Sequence, residues 1–189
     1  WLAQWQQDFP QLVGKKVITL AGRLTRLKGH NDMIDMIKAL LFQGVPVHAL
    51  IVGGEDAKRK AYAQELYQRV KEEGLGEHVT FTGARSDIRD IYSVSDLVLS
   101  LSTKPESFGR TVAEAIGQGI PVVGYNHGGV GEILSALYPQ GKTPMKDVPR
   151  LVQTVSDVLA SGVRPNGNPE FLKTTMLDKT LSVYEELCP

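Results

Sequence analysis

A single cysteine, Cys188, stands among the 189 residues, so an internal disulfide framework is excluded and a reducing, cytoplasmic compartment is the expectation. Metal-ligand spacing is missing too: none of His30, His48, His78 and His127 sits at such a spacing from another histidine or from Cys188, and no metal is expected. Neither sign of charge dominates. The 21 basic and 21 acidic residues cancel, which leaves no broad positive field to hold nucleic acid or an anionic bilayer. No apolar run approaches the roughly 20 residues of a membrane span, and residues 1–7 lack the basic start and apolar stretch of a secretion signal. Two nucleotide signatures are also absent. The chain contains neither GxGxxG nor GxxxxGK[ST], which weakens the nicotinamide-dehydrogenase and P-loop readings. With 42% hydrophobic and 22% charged residues, the composition is that of an ordinary chain able to close one sizeable core.

What is present is an alternation of strand and helix signals. Val17–Ala21, Val47–Val52, Val79–Phe81, Leu97–Leu101 and Pro121–Gly124 read as short buried strands. Between and after them, helices are predicted from Asn31 through Leu41, over Ala57–Glu73, around Ile88–Val94, and over Arg110–Gln118, Val130–Leu134, Asp147–Ala160 and Glu170–Leu187. Fully apolar strands joined by helical crossovers imply an α/β fold, a doubly wound and mostly parallel sheet with helices on both faces. Ligands of such sheets collect where the strands end. The expected organisation is an N-terminal helix or interdomain connection over 1–14 and a Rossmann-like domain over 15–160. A Gly/Pro/Asn-rich linker and a last helix then occupy 161–189, the helix packing in part on another domain.

The unusual clusters all lie in the loops after these strands. Gly22-Arg23-Leu24-Thr25-Arg26-Leu27-Lys28-Gly29 sets two or three cations beside a helix start, a ready phosphate site, although a solvated basic loop has the same composition. Pro105-Glu106-Ser107-Phe108-Gly109-Arg110 leads into a helix containing Glu114. At 1.5 Å of rise per residue the two carboxylates stand on the order of ten Å apart, about the reach from a hexose to a ribose across a diphosphate. Between them the backbone N–H groups of Phe108, Gly109 and Arg110 are the free donors of the helix start, and Gly109 lets a ligand approach the backbone closely. The alternative is that Glu106 caps the helix and Glu114 points into water. At the next strand end Gly83 fits a tight turn and Arg85 either lies over a nucleobase or is a surface charge. Asn126-His127-Gly128-Gly129 with Glu132 reads as a flexible loop or an ordinary turn.

In this order and spacing the sequence resembles the C-terminal donor domain of the retaining, two-Rossmann-domain glycosyltransferases, a family that includes sucrose-phosphate and lipopolysaccharide sugar transferases. The resemblance is carried by Gly22-Arg23-Leu24 with Lys28-Gly29, Ile51-Val52-Gly53-Gly54, Val79 to Gly83, Ser95-Asp96-Leu97, Glu106 to Gly109 with Glu114-Ala115, and Gly119-Ile120-Pro121 with Gly128-Gly129 and Glu132. It implies that Arg23 and Lys28, with Gly22 beside them, neutralise the diphosphate of a nucleotide sugar, UDP-sugar being favoured, and that Glu106 contacts the donor sugar beside its anomeric carbon. It further implies that Glu114 accepts hydrogen bonds from the ribose, that Phe108 and Gly109 offer backbone donors, and that Arg85 and Gly83 lie near the base with Arg110 at the helix start. No cofactor is implied. Transfer of a hexose with retention to a glycan or lipid-linked acceptor, held by an N-terminal domain missing from this chain, follows from the resemblance, as does an inner-membrane contact of the full-length enzyme only. A lone donor domain of this kind is expected to be inactive. The stretch Ala136 to Lys142, running into Pro144, departs from the Gly-rich turn of many relatives. Two other readings stand beside this one: a phosphorylase or nucleotide-sugar epimerase, which share the fold, and a nucleotide-binding module without catalysis. No motif marks a pyridoxal-phosphate lysine, and no acidic cluster at the first strand end marks a receiver.

Overall fold

The computed structural model describes residues 2–55, 60–166 and 182. Its centre is one sheet of six strands, β1 (Lys16–Ala21), β2 (Val47–Val52), β3 (Val79–Gly83), β4 (Leu97–Ser100), β5 (Val122–Tyr125) and β6 (Lys142–Thr143), in the order β3-β2-β1-β4-β5-β6. Every pairing is parallel. The helices are α1 (Leu2–Asp8), α2 (His30–Phe42), α3 (Lys60–Glu72), α4 (Ile88–Ser93), α5 (Arg110–Gly117), α6 (Gly128–Leu137) and α7 (Val148–Ser161).

Strand burial explains why the sheet is covered on both faces. All six residues of β2 are buried, and a strand without a wet face needs helices on either side. Ile18, Leu20, Ala49 and Ile51 point to one side, where they pack with Met33, Ile37, Leu66 and Leu151 from α2, α3 and α7. Val17, Leu50 and Val52 point to the other side and meet Trp5, Leu12 and Ile91. Helix α1 therefore lies on the sheet, with Trp5 buried. The expected doubly wound class is the observed one.

Differences from the expected elements have local causes. Strand β6 has two residues, too few for any alternation of pattern to mark it. Helix α6 begins at Gly128, two residues before the apolar run at Val130, because Gly128 and Gly129 are held by tertiary contacts rather than by helix propensity. The expected helix Glu170–Leu187, and with it the idea that it packs elsewhere, lies outside the described residues, apart from Ser182 in a helical conformation.

Strand order reverses between β1 and β4. Chains leaving these two adjacent strands turn to opposite sides, which opens a crevice beyond their carboxyl ends. The loop Gly22–Gly29 forms one bank of it and residues 101–109 the other.

Candidate active site

The loops at the carboxyl edge are sewn to one another through their backbones. Gly22 N–H donates to the Val52 carbonyl at 2.8 Å, Leu24 N–H to Gly54 at 3.0 Å, and Gly53 N–H to Gly83 at 2.9 Å. A register shift between Ile51 and Val52 brings Gly83 opposite Val52. At Gly53 a Cβ would collide with the Gly22 carbonyl oxygen, so only glycine lets the first two loops touch. Across the crevice Thr103 N–H donates to the Leu27 carbonyl at 2.8 Å. Gly29, at φ 75°, caps α2, and a Cβ there would meet Leu101.

These seams bring Lys28 and Glu106 together. The Lys28 Nζ donates to Glu106 Oε1 at 2.6 Å, with the side chains 34% and 24% exposed. The Lys28 stem lies against Gly22, where a Cβ would stand 3.3 Å from its Cδ. Arg23 is exposed, its backbone beside the Gly53 turn. Arg26, the remaining cation of the loop, is engaged elsewhere: its Nη2 donates to Glu65 at 2.7 Å and its guanidinium lies 5.0 Å from the Tyr62 ring. Of the loop's cations, Lys28 is the one whose side chain reaches across to residues 101–109.

Glu106 does not cap α5. The cap position is Gly109, at φ 78° and ψ 47° with no side-chain hydrogen bond. The left-handed backbone there suits glycine, and without a capping side chain the first N–H groups of α5 stay available to an outside acceptor. Val112 and Ala115 turn into the core, while Glu114 is exposed. It lines an open groove of about 570 Å³ with Phe108, Arg110, Ala113, Gly117, Gln118 and Arg89. Burial, with the charge of Glu114 adding to it, raises the Tyr92 hydroxyl to about 12 and keeps it a neutral neighbour. Phe108, 56% exposed, offers its ring to the same groove. Glu106 thus pairs with Lys28 across the crevice, while Glu114 lines the open groove. Arg89 and Gln118 are groove residues with no mark in the sequence beyond being polar on short helices.

Arg85 stands apart from this groove. Its Nε and Nη2 donate to the Asp87 carboxylate at 2.9 and 2.6 Å, and its guanidinium lies 5.7 Å from the Trp5 ring. Gly83, at φ 71°, ends β3 with open space at its Cβ direction.

Two buried histidines belong to the frame: His30 follows Gly29, and His48 lies at the amino-terminal end of β2, away from the carboxyl edge. His30 begins α2 with no exposed surface. Burial, opposed by the Thr25 backbone and reinforced by Lys28, lowers it to about 4. His48 in β2 is also lowered to about 4 by burial, then by Lys15 and His78, with the Glu77 backbone opposing, and its Nε2 meets Thr80 Oγ1 at 2.8 Å.

The description "Glycosyl transferases group 1" fits residues 3–165 of the chain. The mannosylfructose-phosphate synthase of Agrobacterium fabrum is 38% identical over 125 residues, a stretch covering 64% of this chain and 27% of that protein. The lipopolysaccharide core biosynthesis mannosyltransferase LpsB of Rhizobium meliloti is 31% identical over 121 residues, covering 64% and 34%. Among solved structures, Anabaena Alr3699/HepE in complex with UDP and glucose superposes with a TM-score of 0.72 at 28% identity, covering 85% of this chain and 46% of that one. The chain thus spans less than half the length of each of these proteins.

Proposed function

We propose, from the premise that this chain belongs to the group 1 glycosyl transferases, that it is the donor-binding half of a retaining hexosyltransferase and takes a UDP-sugar. The observation that carries the reading is the meeting of Lys28, Glu106 and the uncapped start of α5 at the switch point of a parallel sheet. A cation and free helix N–H groups are what a diphosphate needs. A carboxylate held beside them is what a sugar hydroxyl next to the anomeric carbon needs. The Anabaena protein solved with UDP and glucose supports the donor class.

In this reading Arg23 and Lys28 bind the diphosphate, and their charge counts most as the departing nucleotide gains negative charge in the transition state. No metal or cofactor is needed for that task, because the two cations supply the positive charge. Lys28 leaves Glu106 for the phosphate when donor arrives, and the freed carboxylate turns to the sugar. Glu114, in the outer groove with Arg110 and Phe108, accepts from the ribose. The donor phosphate itself takes the acceptor proton, with the acceptor, a glycan or lipid-linked sugar, held by a second domain. Likeness to a lipopolysaccharide core biosynthesis mannosyltransferase supports an envelope glycan as product. Proton NMR of the anomeric centre formed from UDP-glucose by a longer protein containing this chain tests the stereochemistry. An α-linked product is expected, and a β-linked product contradicts the reading.

A further inference from the structure

The start of α6 contributes no side chain to donor binding as described, yet it grips the loop that carries Glu106 along its length. His127 Nε2 lies 2.7 Å from the Ser102 carbonyl oxygen, where that loop leaves β4. Gly129 N–H donates to the Glu106 carbonyl at 2.8 Å. A Cβ on Gly128 would stand 2.8 Å from the same carbonyl oxygen, and one on Gly129 would stand 2.6 Å from the carbonyl of Phe108. The backbone of Gly109, at the far end of the loop, rests on Val130. Behind this contact the Tyr125 hydroxyl donates to the Asp32 carboxylate in the first turn of α2, the helix that follows Lys28. One junction, from β5 into α6, therefore contacts both the Glu106 loop and the helix that follows Lys28.

A carbonyl oxygen only accepts, so His127 must carry its proton on Nε2. Residues 104–108 are otherwise exposed or half-buried, and an unsupported loop does not hold a carboxylate to the fraction of an ångström that a reacting centre demands. Building on the donor-site reading, we propose that His127, Gly128 and Gly129 are positioning residues that fasten the Glu106 loop and so set its carboxylate against the donor sugar.

His127→Ala, His127→Gln and Gly129→Ala in the 189-residue chain test this with two readouts. Amide exchange at Gly129, followed by NMR, should quicken about tenfold in His127→Ala, a loss of roughly 1.4 kcal/mol of local protection. In His127→Gln it should stay near the wild-type rate, because the glutamine N–H can donate to the same carbonyl. Calorimetry should find UDP bound within twofold of wild type in the two His127 variants, while the advantage of UDP-glucose over UDP falls several-fold in His127→Ala and Gly129→Ala only. A general loss of stability would weaken both ligands alike. Wild-type exchange in His127→Ala overturns the proposal, as does an unchanged UDP-glucose advantage in a variant whose loop has loosened, or a glutamine as disabling as alanine. Should UDP fail to bind the wild-type chain, the donor-site reading itself falls and takes this inference with it.

Discussion

Replacing Glu106 by glutamine separates its partnership with Lys28 from its service to the sugar. In the ligand-free chain the Lys28 ammonium is 2.6 Å from the Glu106 carboxylate, and both side chains are partly wet. Exposed pairs of this kind contribute about 0.2–1 kcal/mol, and partial burial puts this one near the upper end. A diphosphate must compete with Glu106 for that ammonium. Glu106→Gln removes the competitor, so UDP should bind the isolated chain as tightly as wild type or up to about fivefold tighter, the equivalent of about 1 kcal/mol. Lys28→Ala loses a charge-assisted contact and should weaken UDP by about 1.5–3 kcal/mol. Glu114→Gln, at the exposed groove, keeps an acceptor but loses its charge and should cost about 1 kcal/mol. Isothermal calorimetry at fixed, moderate salt reads all three. In the complete enzyme the order inverts: Glu106→Gln should lower turnover far more than donor affinity, and Glu114→Gln should chiefly raise the donor Michaelis constant. If Glu106→Gln weakens UDP tenfold, alongside Lys28→Ala, then Glu106 belongs to the nucleotide and the division of roles is wrong.

Two further expectations concern the frame. Because His30 and His48 titrate near 4 in the fold and near 6.5 when unfolded, the unfolded chain gains protons first, and stability present above pH 6.5 is lost as pH falls toward 4. The loss comes to about 2 kcal/mol per histidine at pH 5; urea unfolding at pH 7 and 5 should show a shallower fall in His48→Gln than in wild type, and equal falls would remove His48 from the account. Gly53→Ala drives a methyl group into the Gly22 carbonyl and should cost about 1–3 kcal/mol of stability; an unchanged melting temperature would mean that the loop seam is looser than described.

How much of this was legible in the residues varies by element. Val47–Val52 is an unbroken apolar run ended by two glycines, and β2 has those bounds, because a strand buried on both faces writes itself without alternation. The parallel, doubly wound class follows from several such runs. Arg23, Lys28 and Glu106 are visible as chemistry in loops after strands, yet the ion pair joins positions 28 and 106, and only the reversal of strand order makes them neighbours. Arg26 looks equivalent to Lys28 in sequence and is claimed instead by Glu65 on α3. Glu114 sits among apolar residues that suggest a shielded place, but Val112 and Ala115 turn inward and leave it outside. Arg85 carries its own partner two residues on, Asp87, a pairing the motif does not announce. His127 reads as part of a turn, and its grip on Ser102 depends on β4 and β5 lying side by side.

The central claim is that Arg23 and Lys28 make this edge of the sheet a diphosphate site. Calorimetric titration of UDP into the wild-type chain and into Arg23→Ala tests it most directly. One UDP per chain is predicted, with affinity falling by about 1–3 kcal/mol, roughly 5- to 150-fold, in the variant. Equal affinity in both proteins, or no binding to the wild type, would contradict it.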